Sequence, residues 1–175
     1  NALAAFFDEG GYTELYADEN GTVAAGYGTA NGCPAYALAQ NGGALTGADV
    51  AKMVRVMELA AKTGYPIVTF YDSKGSVLTE GFEALTDAAK LVEAGAKISG
   101  VVPQIAVVLG TCAASQAIAA AAADVTIMAK DAELFLTAPF TSAAAGDKTE
   151  KAGSAELAAK DGIVELVYES AEAAV

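Results

Sequence analysis

Hydrophobic positions change period along the chain, and the changes divide it into elements. The early stretch "ELYADENGTVAAGYGTANGCPAYALAQNGG" carries Asn-Gly at 20–21, 31–32 and 41–42. Asn-Gly supports tight hairpins because both residues tolerate positive φ, so a β-meander is predicted with strands at about 22–30 and 34–39. From Thr46 the period becomes helical. Val50, Met53, Val54, Met57 and Ala61 share one face with Lys52, Arg55 and Glu58 between them, and Gly64 and Pro66 close the helix.

Strands and helices then alternate. "PIVTFYD" reads as a buried strand, and a second helix runs through Phe82, Leu85, Ala88, Ala89, Val92 and Ala96. "VPQIAVVLG" is a strand, "CAASQAIAAAAA" a helix and "DVTIMA" a strand. "AELFLTA" is expected as a further strand, followed by a small, polar loop to about Ser154. "SAELAAKDG" is a short helix, "IVELVYE" a last strand and "SAEAAV" the start of a helix. Alternation of this kind predicts an α/β fold with a largely parallel sheet joined by crossovers. Ala-Gly-Tyr-Gly at 25–28 is not a dinucleotide loop, since the third glycine of that fingerprint would fall on Asn31 and no helix opens there.

Composition narrows the picture. At 175 residues and 54% hydrophobic, with no charge run or low-complexity linker, residues 1–175 read as one globular domain. The nearly apolar run Leu109–Ala123 is mostly alanine and too weakly apolar to span a bilayer, and residues 1–7 lack a signal-peptide pattern. Cys33 and Cys112 lie far apart without metal-ligand spacing; as reduced thiols they predict a cytoplasmic protein. A net charge of −12 argues against nucleic acid and is awkward for a phosphate-bearing ligand. The chain has no histidine. That excludes the usual serine and cysteine hydrolase mechanisms and any His-ligated zinc, leaving carboxylates, amines, hydroxyls and the backbone for chemistry.

Two strand–loop–helix units stand out, Tyr65–Ala96 and Val102–Ala123. Each strand ends in small residues and a helix follows within a few positions, where orphan N–H groups attract negative charge. If both loops share one edge of the sheet, the backbone of Gly75 and of Ala114 and Ser115 can converge on a carbonyl oxygen as it becomes an oxyanion. Close packing of helix on strand is the competing reading of the same small residues.

Several segments in order resemble the carboxyltransferase subunits of biotin-dependent acyl-CoA carboxylases and decarboxylases, with propionyl-CoA carboxylase β chains and glutaconyl-CoA decarboxylase α chains as examples. They are "VAAGYGTANGCPAYALAQ", "KMVRVMELAAKTGYPIVTFYDSKGSVLTEG" and "VVPQIAVVLGTCAA"; the likeness runs from about Leu15 to Glu169, and the upstream "FFDEGGYTEL" also resembles the family's entry segment. It implies the crotonase-like fold, with repeated ββα units, two roughly perpendicular sheets and flanking helices. It also implies an acyl-CoA substrate, biotin brought by a separate carrier protein, and a second carboxyltransferase domain or subunit completing a homo- or hetero-oligomer. Gly42, Gly43, Ala44 and Leu45 fall where such proteins receive the pantetheine and adenine; a turn and helix cap is the alternative for that segment.

Two motifs depart from the family pattern. "DSGGARIQEG" becomes "DSKGSVLTEG", with Lys74 for a glycine and Val77 for the arginine; "CAGGA" becomes "CAASQ", with Ala114 and Ser115 for the glycine pair. Lys74 is a candidate for a carboxylate or CoA phosphate, or a solvated loop lysine. Glu80 reads as a helix cap or a general base, and Tyr65 and Tyr71 as packing. Three functions follow: a carboxyltransferase subunit working through an enolate held by backbone donors, a catalytically degenerate assembly or regulatory subunit, or another crotonase-fold acyl-CoA enzyme such as a hydratase or isomerase. The third needs acids beside the thioester, and only Glu80 and Glu83 lie near the right loop.

Overall fold

A computed structural model describes residues 1–149 and 151–175. Asn31 (φ 49°) and Gly32 (φ 76°) make the two-residue turn that joins β2 (Val23–Ala30) to β3 (Cys33–Gln40) in an antiparallel hairpin, with Ala30 opposite Cys33. The short β1 (Thr13–Glu14) adds to the outer side of β2. Beyond β3 the sheet is parallel, through β4 (Ile67–Ser73), β5 (Gln104–Ala113), β6 (Val125–Ala129) and β8 (Leu166–Tyr168). The short β7 (Glu133–Phe135) pairs with the end of β5. Strand β5 therefore pairs with β6 through Ile105–Val108 and with β7 through Thr111–Ala113, so the sheet branches near Gly110.

Alternation along the strands sorts side chains into two layers. Tyr36, Leu38 and Ile67 pack under helices α2 (Gly47–Thr63) and α3 (Phe82–Ile98) with Val50, Met53, Val56, Met57, Ala60 and Leu91. Ala37, Ala39, Val68, Phe70 and Val107 face the other way, onto Leu3 of helix α1 (Ala2–Phe6), Phe7 at its C-cap and Ala174 of α7 (Ala171–Ala174). A third cluster joins Ala106, Val108 and Met128 to α4 (Ser115–Ala121) and α6 (Ala155–Lys160). With both faces covered, the central strands read as near-continuous apolar runs.

Helix α2 shows why these elements form where they do. Thr46 accepts from the Asp49 N–H while Asp49 accepts from the Thr46 N–H, a reciprocal cap contributing about 1 kcal/mol. Val50, Met53, Val56, Met57 and Ala60 then recur at helical spacing on the buried side, and Gly64 ends the helix at φ 77°. The mixed α/β architecture implied by the resemblance is present.

Some boundaries differ from expectation. Cys112 and Ala113 finish β5 instead of opening a helix, because they pair with Leu134 and Phe135. Only Glu133–Phe135 of "AELFLTA" is strand, and Pro139 starts a helix (α5, Pro139–Ala144) inside the expected loop. Of "IVELVYE" only Leu166–Tyr168 pairs. Among the described residues no helix is long and apolar enough to cross a membrane.

Candidate functional site

Parallel pairing of β4 with β5 puts the two predicted loops at one edge of the sheet. Ser73 is opposite Cys112, so residues 74–81 and Ala114–Ser115 leave from adjacent positions. The register shifts just before this point: Asp72 faces the three residues Leu109–Gly110–Thr111. Its carboxylate accepts from the Thr111 N–H at 3.2 Å, and a Cβ on Gly110 would overlap it. Gly110 is thus needed for close approach of a side chain from the neighbouring strand.

The predicted substrate-binding segment, Gly42, Gly43, Ala44 and Leu45, is fastened along the other side of the β4 loop. Gly42 N–H donates to the Asp72 carbonyl (2.7 Å), Lys74 N–H to the Gly43 carbonyl (3.3 Å) and Leu45 N–H to the Gly75 carbonyl (2.8 Å). Val77 N–H returns to the Leu45 carbonyl (2.9 Å), and the Ser73 hydroxyl donates to the Gly43 carbonyl (2.9 Å). Leu45 and Ser76 form a parallel bridge. Thr46 and Asp49 supply the cap of α2, so this segment leads directly into the helix start expected as its alternative reading.

The three predicted backbone donors fare differently. Gly75 is buried, sits at φ 96°, and donates its N–H to the hydroxyl of Ser73, two residues earlier, at 3.2 Å. Ala114 donates to the Phe135 carbonyl at 3.0 Å. Both amides are therefore spent within the protein, a correction to their expected role as open donors. Ser115, the first residue of α4, has no acceptor for its N–H among the described residues. The same holds for Ser76, which sequence reasoning missed. Leu45 bonds to the carbonyl of Gly75 and the N–H of Val77, so by the alternation of a parallel ladder the Ser76 N–H faces away from Leu45. The one signal for it in the sequence was its place in the same loop.

Ala114 has another part. It lies at φ 54°, ψ −125°, a conformation costly for a residue with a Cβ, and it turns the chain from β5 into α4. Gly81 makes the corresponding turn into α3 at φ 58°, ψ −128°. The matching loop device is therefore Gly81 rather than Gly75, again not visible from residue type alone.

A buried amide chain ties the two loops together. Gln40 at the end of β3 accepts the Asp72 N–H on Oε1 (3.0 Å) and donates from Nε2 to Gln116 Oε1 (2.8 Å). Neither glutamine was singled out in the sequence, where each sits in an otherwise apolar run. Lys74 is exposed, and its ammonium joins no ion pair among the described residues. Glu80 accepts the Gly47 N–H at 3.2 Å, which makes it a cap of α2, and Glu83 is exposed in the first turn of α3. Tyr71 is buried against Cys112; burial pushes the phenol up, as it does the Cys112 thiol. Neither ionises near neutral pH, which leaves them as packing. Beside the loops, Glu14, Asp18, Gln40, Asn41 and Asp72 line a cleft of about 460 Å³.

At this edge the main-chain N–H groups of Ser76 and Ser115 are left without an acceptor among the described residues. The sequence profile described as carboxyl transferase domain matches residues 5–175. Over 121 residues the chain is 40% identical to the methylmalonyl-CoA carboxyltransferase 12S subunit of Propionibacterium freudenreichii subsp. shermanii, covering 67% of this chain and 23% of that protein. It is 39% identical over 122 residues to methylmalonyl-CoA decarboxylase subunit alpha of Veillonella parvula, covering 67% and 24%. A crystal structure of transcarboxylase 12S, a hexamer with methylmalonyl-coenzyme A bound, superposes with a TM-score of 0.92 at 32% identity over 98% of this chain and 38% of that one. The chain spans about a quarter of the length of the curated relatives it matches.

Proposed function

Because the chain belongs to the carboxyl transferase domain family, we propose that it is one crotonase-fold domain of a biotin-dependent acyl-CoA carboxyltransferase, acting in a carboxylase or decarboxylase. The substrate is an acyl-CoA whose thioester oxygen gathers negative charge as its α-carbon becomes an enolate. The observation that carries this reading is the pair of unspent N–H groups, Ser76 and Ser115, in loops that leave adjacent strands at one edge of the sheet. Donors oriented before the charge develops lower its energy without the reorganisation water would need.

Gly42, Gly43, Ala44 and Leu45 form the wall along which the CoA arm lies, and Lys74 offers a cation to a phosphate or carboxylate in a chain that is otherwise strongly acidic. Ala114 shapes the loop that presents Ser115. Biotin, carried on a separate protein, supplies or takes the carboxyl group; this chain's residues bind the thioester, orient it and hold its oxygen. A second carboxyltransferase domain or subunit completes the oligomer, and the two free cysteines support a reducing, cytoplasmic location.

The degenerate-subunit reading is disfavoured by Ala114. A strained turn persists only where its surroundings enforce it, and such outliers cluster at functional sites. Calorimetric titration of the full-length protein with acetyl-, propionyl- and malonyl-CoA tests the proposal. Saturable binding of at least one is expected; binding of none, with and without partner subunits, overturns it.

A further inference from the structure

Two buried glutamines define a donor that the backbone reading does not include. The Asp72 N–H can only donate, so the Gln40 atom 3.0 Å from it must be the carbonyl oxygen. That leaves the Gln40 –NH2 facing Gln116, whose atom at 2.8 Å must then be its own carbonyl oxygen. One main-chain donor thereby sets both side-chain amides, and the –NH2 of Gln116 is left at the far end. Gln116 is only 1% exposed. Every fully buried side-chain nitrogen and oxygen among the described residues has a hydrogen-bond partner, whereas Gln116 Nε2 has none, so the sliver of surface left to Gln116 lies at that nitrogen. Gln116 lies in the first turn of α4, directly after Ser115.

We infer that Gln116 Nε2 is a substrate-binding donor to an acceptor oxygen on the acyl group of the CoA thioester, held in orientation by Gln40. The inference rests on the proposed acyl-CoA function. A buried amide whose carbonyl is already committed can present only N–H, so it favours ligands that accept there and disfavours those that donate. Its neutrality suits an acyl carbonyl or a free acyl carboxylate equally, and these two sources are separable by experiment.

The test uses the full-length protein in its native oligomer and compares dissociation constants for malonyl-CoA, acetyl-CoA and coenzyme A itself. Gln116→Glu keeps an acceptor for Gln40 and replaces the outward –NH2 by an oxygen; Gln116→Leu keeps the volume and removes both groups. Both variants are expected to weaken acyl-CoA binding by about tenfold while leaving coenzyme A unchanged. Loss for malonyl-CoA alone identifies a carboxylate as the acceptor; loss for both thioesters identifies the carbonyl. Amide exchange at Asp72 should stay slow in Gln116→Glu and quicken in Gln40→Leu, which reports the orienting chain independently of binding. If wild type binds acyl-CoA and both Gln116 variants bind it equally well, the inference is overturned while the domain's function stands. If wild type binds no acyl-CoA, both fall.

Discussion

Ala114 and Gly81 hold the same backbone turn, at φ 54°, ψ −125° and φ 58°, ψ −128°, each where a strand-derived loop enters a helix. One uses the residue that suits it and the other does not. Ala114→Gly is therefore expected to stabilise the protein by about 1 kcal/mol, since relief of strain exceeds the entropy glycine adds to the unfolded chain. Gly81→Ala should destabilise it by about as much. Denaturant midpoints measure both, and a lower midpoint for Ala114→Gly would contradict the strain.

Asp49 ties the β-meander to α2. Its carboxylate accepts from Thr22 N–H (2.9 Å), Thr22 hydroxyl (2.9 Å), Thr46 N–H (3.0 Å) and Thr46 hydroxyl (2.8 Å). Burial pushes this carboxyl up, but the Thr46 and Thr22 donors outweigh it and hold it below the usual aspartate range. The ionised form is thus favoured by folding. Its contribution is complete above the unfolded aspartate value and disappears as pH falls from there through the lower folded value. Asp49→Ala should cost about 3 kcal/mol at neutral pH and flatten the acid limb of the stability curve; an unchanged limb would assign acid sensitivity elsewhere.

Gly110 and Asp72 form a coupled pair across the bulge. A methyl group at Gly110 meets the Asp72 carboxylate, so Gly110→Ala should destabilise by about 2 kcal/mol. Adding Asp72→Ala removes the obstacle, and the double variant should be at least about 1 kcal/mol more stable than the two single changes sum to. Strict additivity would mean the strands part without touching.

A backbone donor can be deleted with proline. Ser115 is the first residue of α4, where the ring is tolerated and only the N–H is lost. In an Ala114→Gly background, which relieves the residue before the ring, Ser115→Pro should keep its melting temperature within about 5 °C and lose about tenfold or more in malonyl-CoA affinity. Equal affinity would remove Ser115 from the site.

Lys74 is exposed and unpaired among the described residues. Lys74→Ala should leave stability unchanged and weaken malonyl-CoA binding about threefold at low salt, with the difference fading near about 0.5 M. A salt-independent loss would point to a contact other than charge.

The elements that could be read directly were those whose instructions are local. Val50, Met53, Met57 and the Thr46 cap specify α2 within one stretch, and Asn31-Gly32 specifies its hairpin through two positive φ values. Helix α1 escaped because five residues carry little period; Leu3 is buried only because the sheet lies beneath it. The end of "AELFLTA" escaped because pairing with β5 stops at Phe135 and Pro139 opens a helix. Residue type drew attention to the two loops and to Gly42–Leu45, which main-chain hydrogen bonds fasten to the β4 loop. It could not tell that Glu80 reaches back to Gly47, or that Gln40 and Gln116 meet.

By itself the sequence determined the alternation of strands and helices, the absence of imidazole chemistry and the two loops where main-chain donors gather, because period, turn preference and residue type act over a few positions. Which of those amides stay open was decided only by tertiary structure. Ser73 takes the Gly75 N–H, Phe135 takes that of Ala114, and the pairing of Leu45 with the β4 loop turns the Ser76 N–H away from Leu45. Whether a donor remains unspent depends on every acceptor within about 3 Å of it, and the fold brings those acceptors from distant parts of the chain.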